Sequence, residues 1–360
     1  MSIPTAALWI GTYPTAGNAP GTGEGIWRVD IDPSGKFAGG ELVVQAASPS
    51  FLALDPSGRT LLAVTEREPG RLTSFRVSDA GTLSPASAAD SGGWGPCHVV
   101  ATDTVAWVAN YTDGVAAAVP LADDGGLRAP RTFSHAGSGP VEDRQEGPHA
   151  HFTHVWGDRV LVSDLGTDEL RTYPLDPAEA LGGEVAAVLP PGTGPRHLVE
   201  LADGTILVAG ELDCRLHVLV PAGPGRLEHV GSVAITGRTM PDGAPGYPSH
   251  ISVAGDLVHV GVRGPDVLSV LRLRDAAAAA DGPGDGPGVV GHLVVENVSD
   301  VDLGAGAWPR HHAVLADGGV VVVAAQNTDE LVAVRLDPTS GEGQVVDRLE
   351  LPVPACVLEA

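Results

Sequence analysis

A short proline-led segment recurs along the chain and constrains the fold more than any other feature. Successive prolines stand 45 to 61 residues apart, and an apolar run follows each of them. The anchors are Pro49, Pro96, Pro148, Pro195, Pro248, Pro309 and Pro354. Their spacing fits one four-stranded β-propeller blade of roughly 40 to 50 residues. Runs such as TILVAG and LVHVGV, bounded by Gly-Asp or Asp-Gly turns, support strands.

The two ends of the chain complement each other. Residues 7–46 supply three strand-like runs without a proline-led first strand, and the terminal PACVLEA supplies a proline-led strand with nothing after it. Joined, they make one four-stranded blade closed by both termini, which removes an open sheet edge. The sequence therefore predicts an all-β fold: a single seven-bladed β-propeller domain, residues 1–360, with four antiparallel strands in each blade.

One segment, RDAAAAADGPGDGPG at 274–288, does not fit the strand pattern. Its alanine run is helix-like but too short to persist as an isolated helix. The Pro/Gly repeat that follows indicates a surface insertion. It accounts for the longest spacing between prolines.

Charge and composition exclude several classes of partner. The chain has 21 Lys+Arg against 45 Asp+Glu, a net charge of −24, which argues against nucleic acid or an anionic membrane as partner. No stretch reaches the roughly 18 apolar residues of a membrane span. The first residues lack the basic and apolar regions of a signal peptide, so we expect a cytoplasmic protein. The 3 cysteines lack ligand-like spacing, and we expect neither metal nor cofactor.

Propeller topology predicts which polar residues meet. The first strand of a blade lines the channel and the second runs antiparallel to it, so first-strand starts and second-strand ends lie at the same mouth. First-strand starts hold Cys97, His98, His149, His151, Arg196, His197, His250, Arg310, His311 and His312. Second-strand ends hold Tyr13, Glu66, Asn110, Asp164, Glu211, Arg263, Gln326 and Asn327.

Repetition itself favours a structural role for many of these residues. The recurrent histidines are expected to tie neighbouring blades to buried backbone groups; they are His98, His197, His250 and His311. Asn110, Asp164 and Asn327 adjoin tight turns that they can cap. Departures from the repeat indicate chemistry instead. A long acid and long bases interrupt positions otherwise held by small or amide side chains; they are Glu211, Arg196, Arg263 and Arg310.

Several segments resemble the seven-bladed propeller lactonase family, whose members include 6-phosphogluconolactonases and carboxymuconate lactonizing enzymes. They are PHAHFTH, SDLGTDELRTYPL, GPRHL, GELD and PRHH. The resemblance covers nearly the whole chain. It implies a polar pocket at one mouth of the channel, with His151 and Glu211 as catalytic groups and Arg196 and Arg263 binding the substrate. Further predicted substrate contacts at this mouth are Arg310, His149 and His197.

Lactone hydrolysis needs a base for water, donors for the oxyanion and an acid for the leaving alkoxide. Glu211 or His151 could be the base and the other the proton donor. Guanidinium forks at Arg196 and Arg263 suit a phosphate or carboxylate. A serine nucleophile is disfavoured because the sequence has no G-x-S-x-G elbow.

The leading prediction is therefore a metal-independent lactonase that acts on a small anionic sugar lactone, with 6-phosphogluconolactone as first candidate. A cycloisomerase would use the same side chains without activating water. A calcium-dependent lactonase would instead gather oxygen ligands on the axis, from Glu66, Asn110, Asp164, Glu211 or Asn327. A non-enzymatic propeller scaffold is the fourth hypothesis. The sequence does not give the oligomeric state, although a closed propeller needs no partner for stability.

Overall fold

The computed structural model describes residues 6–13, 25–180, 182–276, 288–315 and 318–360. Within these ranges the strands form seven separate antiparallel sheets. In five of them the strand order follows the chain, in one the two outermost strands are exchanged, and in the seventh the C-terminal strand joins the N-terminal three.

Blades 1 to 4, each given from the channel outward, come from the two ends and the first half of the chain. Blade 1 consists of β29 (Pro354–Glu359), β1 (Ala6–Thr12), β2 (Gly25–Ile31) and β3 (Phe37–Gln45). Blade 2 consists of β4 (Leu52–Leu54), β5 (Thr60–Thr65), β6 (Arg71–Val77) and β7 (Leu83–Asp90). Blade 3 consists of β8 (Pro96–Ala101), β9 (Val105–Asn110), β10 (Val115–Pro120) and β11 (Arg131–Ser134). Blade 4 consists of β12 (Ala150–Trp156), β13 (Arg159–Asp164), β14 (Glu169–Pro174) and β15 (Glu184–Val188).

Blades 5 to 7 complete the circle. Blade 5 consists of β16 (Pro195–Glu200), β17 (Ile206–Gly210), β18 (Arg215–Pro221) and β19 (Leu227–Ala234). Blade 6 consists of β20 (Tyr247–Ala254), β21 (Leu257–Arg263), β22 (Val267–Asp275), β24 (Leu293–Asp302) and β23 (Gly288–Val290). Blade 7 consists of β25 (Pro309–Val314), β26 (Val320–Ala325), β27 (Glu330–Leu336) and β28 (Gly343–Glu350), with a short 3-10 helix at Gln326–Thr328.

Contacts between the first strands of neighbouring blades run around the whole ring. The C-terminal strand β29 contacts β4 of blade 2 on one side and β25 of blade 7 on the other. It also pairs with β1, with Leu8 opposite Glu359 and Ile10 opposite Val357. The predicted seven-bladed propeller, closed by the C-terminal strand, is confirmed.

Blade 6 departs from the four-stranded pattern because β23 adds a fifth strand at its outer edge. The sequence did not predict this strand. Residues 277–287, which hold most of the predicted helix-like insertion, lie outside the described residues. No helix in the described ranges is long and apolar enough to cross a membrane.

Burial decreases from the inner strands outward. Every residue of β9 (VAWVAN) and of β26 (VVVVAA) is buried, because neighbouring blades pack on both faces of these strands. This explains why they read as continuous apolar runs rather than alternating ones. The outermost strands β3 and β7 are mostly exposed or half-buried. The core therefore consists of seven interfaces between blades.

The proline anchors are followed by a local irregularity that shapes the channel. In blade 5, Pro195 is the first residue of its strand, where its missing N–H leaves no gap in the ladder. The pairing then slips between Pro195 and His197, and blades 3 and 7 slip at the same place. Such a bulge re-aims side chains. It lets Arg196 reach the mouth while His197 enters the channel.

Candidate active site

The starts of the first strands and the ends of the second strands meet at one mouth of the channel. In blade 5, Pro195 pairs with Gly210, which brings Arg196 beside Glu211. In blade 6, Tyr247 pairs with Arg263 at the same edge. Antiparallel pairing within these two blades therefore places Arg196, Glu211 and Arg263 at strand ends on the same edge.

Glu211 lies at the centre of three arginines. Arg144 donates a hydrogen bond to its Oε1. Its Oε2 lies 2.8 Å from Nε of Arg196 and 2.8 Å from Nη2 of Arg263. The side chain of Glu211 is only 4% exposed. Together, Glu211, Arg144, Arg196 and Arg263 form the Glu211 cluster.

Backbone carbonyls and an aromatic ring fix two of these arginines. Arg196 donates through Nη1 to the carbonyl oxygen of Ser249 in the next blade. Arg263 donates through Nε to the carbonyl oxygen of Tyr247 at 3.0 Å. Its guanidinium also lies 5.5 Å from the centroid of the Trp308 ring, a cation–π contact. Arg196 and Arg263 are thus held in place independently of Glu211.

Charge dominates the protonation of the Glu211 cluster. Burial acts to raise the pKa of Glu211, but the positive charges of Arg263, Arg196 and Arg144 outweigh it and leave the pKa far below its usual range. Burial also lowers the pKa of Arg196 and of Arg263. Glu211 is therefore ionised and has no proton to donate. Three guanidinium groups around one carboxylate leave two positive charges in excess.

His151 is the neutral member of the mouth. It is buried, and its Nδ1 has no hydrogen-bond partner among the described residues. Burial, and then the charge of Arg196, hold its pKa well below the usual 6.5. Its ring centroid lies 5.4 Å from that of His197 and 5.6 Å from that of Tyr111. An imidazole in this state is uncharged at neutral pH and available as a proton acceptor.

His149, predicted to contact the substrate, has partners at both ring nitrogens. Nδ1 donates to the carbonyl oxygen of Tyr111 at 2.9 Å. Nε2 lies 3.3 Å from a carboxylate oxygen of Glu146. The rings of His149 and Tyr111 stack with centroids 4.5 Å apart. Since the Tyr111 hydroxyl interacts with Arg144, His149 supports the Glu211 cluster through Tyr111.

Aromatic side chains fill the channel next to the mouth. Most of them follow directly after a mouth residue on the same first strand, as His197 follows Arg196. Neighbouring ring centroids are 3.8 to 5.3 Å apart, and those of His98 and His197 are 5.7 Å apart. This channel ring consists of Phe51, His98, Phe152, His197, His250 and His311. It forms the floor of the mouth.

The recurrent histidines of the channel ring connect blades, as the sequence predicted. Nδ1 of His98 accepts a hydrogen bond from the backbone N–H of Thr153 in the next blade at 3.2 Å. Nδ1 of His311 accepts from the backbone N–H of Val357 at 3.2 Å. Burial keeps the pKa of both histidines well below the usual value. The structural interpretation is confirmed for these two residues.

His197, predicted as a substrate contact, belongs to the channel ring. Its Nδ1 lies 2.9 Å from Nδ1 of His250, so one of the two nitrogens donates and the other accepts. Burial lowers the pKa of His197 well below its usual value. His197 thus supports His151 from the floor of the mouth, and it stays a predicted substrate contact.

Arg310 forms a second polar group of residues at the mouth, contributed by blades 7, 1 and 2. Its guanidinium donates to the Tyr13 hydroxyl and lies 4.7 Å from the centroid of the Tyr13 ring. The Tyr13 hydroxyl in turn donates to Oε2 of Glu66 at 2.7 Å. Ser50 donates to the same oxygen. In contrast to the Glu211 cluster, this group pairs one arginine with one carboxylate.

Two of the oxygen ligands that a calcium site would need are occupied otherwise. Asn110 is buried, and its Oδ1 accepts a hydrogen bond from the Ser91 hydroxyl at 2.7 Å. Oδ1 of Asp164 accepts from the backbone N–H of His149 at 2.8 Å and also caps the turn after β13. Within the part of the chain that the structure describes, no group of three or more His, Cys, Asp or Glu side chains could hold a metal ion. Asn110 and Asp164 are therefore committed to hydrogen bonds within the fold, which weighs against the calcium hypothesis.

Arg144 is the member of the Glu211 cluster that the sequence analysis missed. It lies in the loop between β11 and β12, outside the strand ends that the propeller repeat aligns. A signal was available: the 135–149 loop is long, contains a single arginine and leads directly into the HAH segment.

The chain matches the family described as "Lactonase, 7-bladed beta-propeller" over residues 7–281 and 293–359. It is 26% identical to the 6-phosphogluconolactonase of Bacillus subtilis (strain 168) in an alignment of 362 positions, gaps included, that covers 97% of each chain. Among solved structures it resembles the periplasmic gluconolactonase PpgL of Pseudomonas aeruginosa, with a TM-score of 0.85, 26% identity and 99% of each chain covered. A protein from Lactobacillus plantarum gives a TM-score of 0.80 and 25% identity, covering 99% of this chain and 100% of the other.

The seven closed blades and the match over most of the chain define the class. The protein belongs to the seven-bladed β-propeller lactonase family.

Proposed function

We propose that the protein is a lactonase that hydrolyses an anionic sugar lactone at the mouth containing the Glu211 cluster, with 6-phosphogluconolactone as the first substrate to test. One observation carries the proposal: a buried, ionised carboxylate held by three guanidinium groups lies at the same mouth as a buried, neutral histidine. Family membership and the 6-phosphogluconolactonase and gluconolactonase relatives support it.

The protonation states favour one assignment of the acid and base that the sequence left open. His151 is uncharged and takes a proton from water as the water oxygen adds to the lactone carbonyl carbon. The resulting imidazolium has a low pKa and readily returns the proton to the ring oxygen when the carbon–oxygen bond of the lactone breaks. Water and lactone thereby yield one hydroxy acid. Glu211, which has no proton to donate, stabilises the imidazolium and neutralises one of the three guanidinium charges.

The arginines supply the remaining requirement, donors for negative charge. Arg196 and Arg263 are fixed by backbone acceptors, so they are preorganised for the oxyanion and do not have to reorient during the reaction. The Cys97 thiol is an unsuitable nucleophile, since burial raises its pKa.

The test is a panel of lactones with purified protein. Acid release from 6-phosphogluconolactone, glucono-lactone and muconolactone is followed in a pH-stat, and we expect hydrolysis of the first above the uncatalysed rate. Glu211→Gln and Arg196→Ala should each abolish most of it while circular dichroism shows a folded protein. If every lactone reacts at the uncatalysed rate, the lactonase proposal is wrong. Conversion of muconolactone to the open dienoic acid without water uptake would favour the cycloisomerase, and inactivity throughout would favour a scaffold.

A further inference from the structure

Arg144 differs from the other two arginines of the Glu211 cluster in exposure and anchoring. Its side chain is 34% exposed, against 3% for Arg196 and 7% for Arg263. Arg196 and Arg263 also donate to backbone carbonyls. Among the described residues, the guanidinium of Arg144 interacts with Glu211 and Tyr111. A ligand arriving from solvent therefore meets Arg144 first and displaces it most easily.

The backbone that carries Arg144 is fixed. The next residue, Gln145, is fully buried. Its side-chain amide donates to the carbonyl oxygen of Leu165 and to Oδ1 of Asp168, both at 2.8 Å. Its Oε1 accepts from the backbone N–H of Val141 at 3.2 Å. Movement at this point is therefore confined to the Arg144 side chain and requires no opening of the loop.

Glu211 and an anionic ligand would compete for the same donors. A guanidinium fork binds a carboxylate or a phosphate equally well in geometric terms. The Glu211 cluster has two positive charges in excess, and a phosphate monoester carries about −1.5 to −2 at pH 7. A phosphate can therefore neutralise the cluster, whereas an uncharged sugar cannot.

Arg144 also blocks one carboxylate oxygen. It is the arginine that contacts Oε1 of Glu211, while Arg196 and Arg263 are both at Oε2. Departure of Arg144 would leave Oε1 free to accept a hydrogen bond from a substrate hydroxyl. The other two arginines would stay in place on Oε2.

We propose that Arg144 is a specificity-determining and positioning residue: it covers Oε1 of Glu211 in the free protein and moves to the anionic group of the ligand, a phosphate monoester, when the ligand binds. The nature of the substrate rests on the proposed function. The exchange of partners by Arg144 concerns binding and can be tested without turnover.

The first test compares two unreactive sugars that differ by one phosphate, glucose 6-phosphate and glucose, by calorimetry. Wild-type protein should bind glucose 6-phosphate more tightly than glucose. Arg144→Gln should weaken glucose 6-phosphate binding about 10- to 100-fold, the usual value of a charge-assisted hydrogen bond, and leave glucose binding unchanged. Arg144→Lys should fall between the two because lysine lacks the fork. Arg128→Gln, which changes an exposed arginine at the β10–β11 turn, is the matched control and should bind both sugars like the wild type.

The second test addresses competition. If Glu211 holds Arg144 away from the ligand, then Glu211→Gln should bind glucose 6-phosphate more tightly than the wild type, at a temperature where circular dichroism shows it folded. A merely structural carboxylate would give weaker binding. Equal weakening of both sugars by Arg144→Gln, or weaker phosphate binding by folded Glu211→Gln, overturns the proposal.

Activity separates this inference from the proposed function. In an active enzyme, Arg144→Gln should raise KM for 6-phosphogluconolactone by a larger factor than KM for glucono-lactone. A protein without lactonase activity that still shows both binding effects would refute the proposed reaction and support the role of Arg144. An active enzyme whose KM values do not change in Arg144→Gln would refute the role of Arg144 and leave the reaction standing.

Discussion

The channel ring and the Glu211 cluster adjoin at Arg196 and His197, two consecutive residues of one first strand, yet they are opposites in chemistry. His98 and His311 repeat from blade to blade, are uncharged, and bond to the backbone of the next blade. Arg196 and Glu211 break the repeat, are charged, and lie beside other charges of the same sign or the opposite one. Residues that repeat from blade to blade thus make structural hydrogen bonds, whereas residues that break the repeat carry the excess charge.

Because the Glu211 cluster has three guanidinium groups and one carboxylate, its arginines repel one another. Burial, and then the charge of Arg263, lower the pKa of Arg196, so each guanidinium makes the charged state of the other less favourable. Groups that stabilise a fold are not usually arranged in this way. A cost of this kind is typical of functional sites.

The largest expected effect is that of removing the counter-charge of the cluster. Glu211→Gln leaves three guanidinium groups without a carboxylate, two of them buried, and should lower the free energy of unfolding by about 3–5 kcal/mol. Urea unfolding measures the loss, and added inorganic phosphate should recover part of it. Glu184→Gln, at a carboxylate that is 66% exposed, is the control and should change little. A loss for Glu211→Gln no greater than the control would contradict the comparison.

Removing one of the mutually repelling arginines should separate activity from stability. Arg196→Met should lower kcat/KM about 100- to 1000-fold, because a preorganised donor is lost. The free energy of unfolding should stay unchanged or rise, since burial of one charge and its repulsion with Arg263 disappear. Lactone kinetics and urea unfolding on the same preparation check both halves. A parallel loss of stability and activity would show that Arg196 is mainly structural.

The buried, neutral His259 predicts a pH dependence of stability. His259 is fully buried between blades 6 and 7, neither ring nitrogen has a partner among the described residues, and burial lowers its pKa to about 4 from 6.5. The unfolded chain therefore binds the extra proton first as the pH falls. Stability is full above pH 6.5 and declines by about 3 kcal/mol down to pH 4.

His259→Leu should remove this part of the decline and raise stability at pH 5. Urea unfolding at pH 7, 5 and 4 measures it. His292→Gln, at a side chain that is 43% exposed, should keep the full pH dependence. An unchanged pH dependence in His259→Leu would mean that other groups cause the decline.

The smallest effect should come from the channel ring. His98→Leu leaves the backbone N–H of Thr153 without its acceptor and should cost about 1–3 kcal/mol of unfolding free energy. Because His98 makes no contact with Glu211 or its arginines among the described residues, kcat/KM should not change. Thermal unfolding and lactone kinetics test the two expectations. A loss of activity with intact stability would place the channel ring in the chemistry.

Much of the fold could be predicted from the sequence because each blade repeats the same proline-led pattern of short apolar strands. The proline spacing gave the number of blades, and the unpaired strands at the two ends gave the closure of the ring. The fifth strand, β23, was not readable, since GVV is too short to show a period. Its place is decided by pairing with β24, which is a contact between segments.

The residues of the candidate site that lie at strand ends could be predicted from the sequence, and the one in a loop could not. Arg196, Glu211 and Arg263 stood out because the repeat aligned them with smaller side chains in other blades. Arg144 belongs to a loop, where no repeat provides an alignment. The protonation states were also out of reach, because they depend on burial and on the distances between charges.

By itself, the sequence determined the class of fold and the positions where the blade repeat is irregular. These follow from strand periodicity and turn chemistry, which are local properties. Only the tertiary structure decided that three arginines converge on one carboxylate, that His151 is neutral, and that Arg144 is the exposed member. Those facts depend on how far side chains from different blades reach into one buried space, and the free energy of a charge there is set by all of its neighbours together.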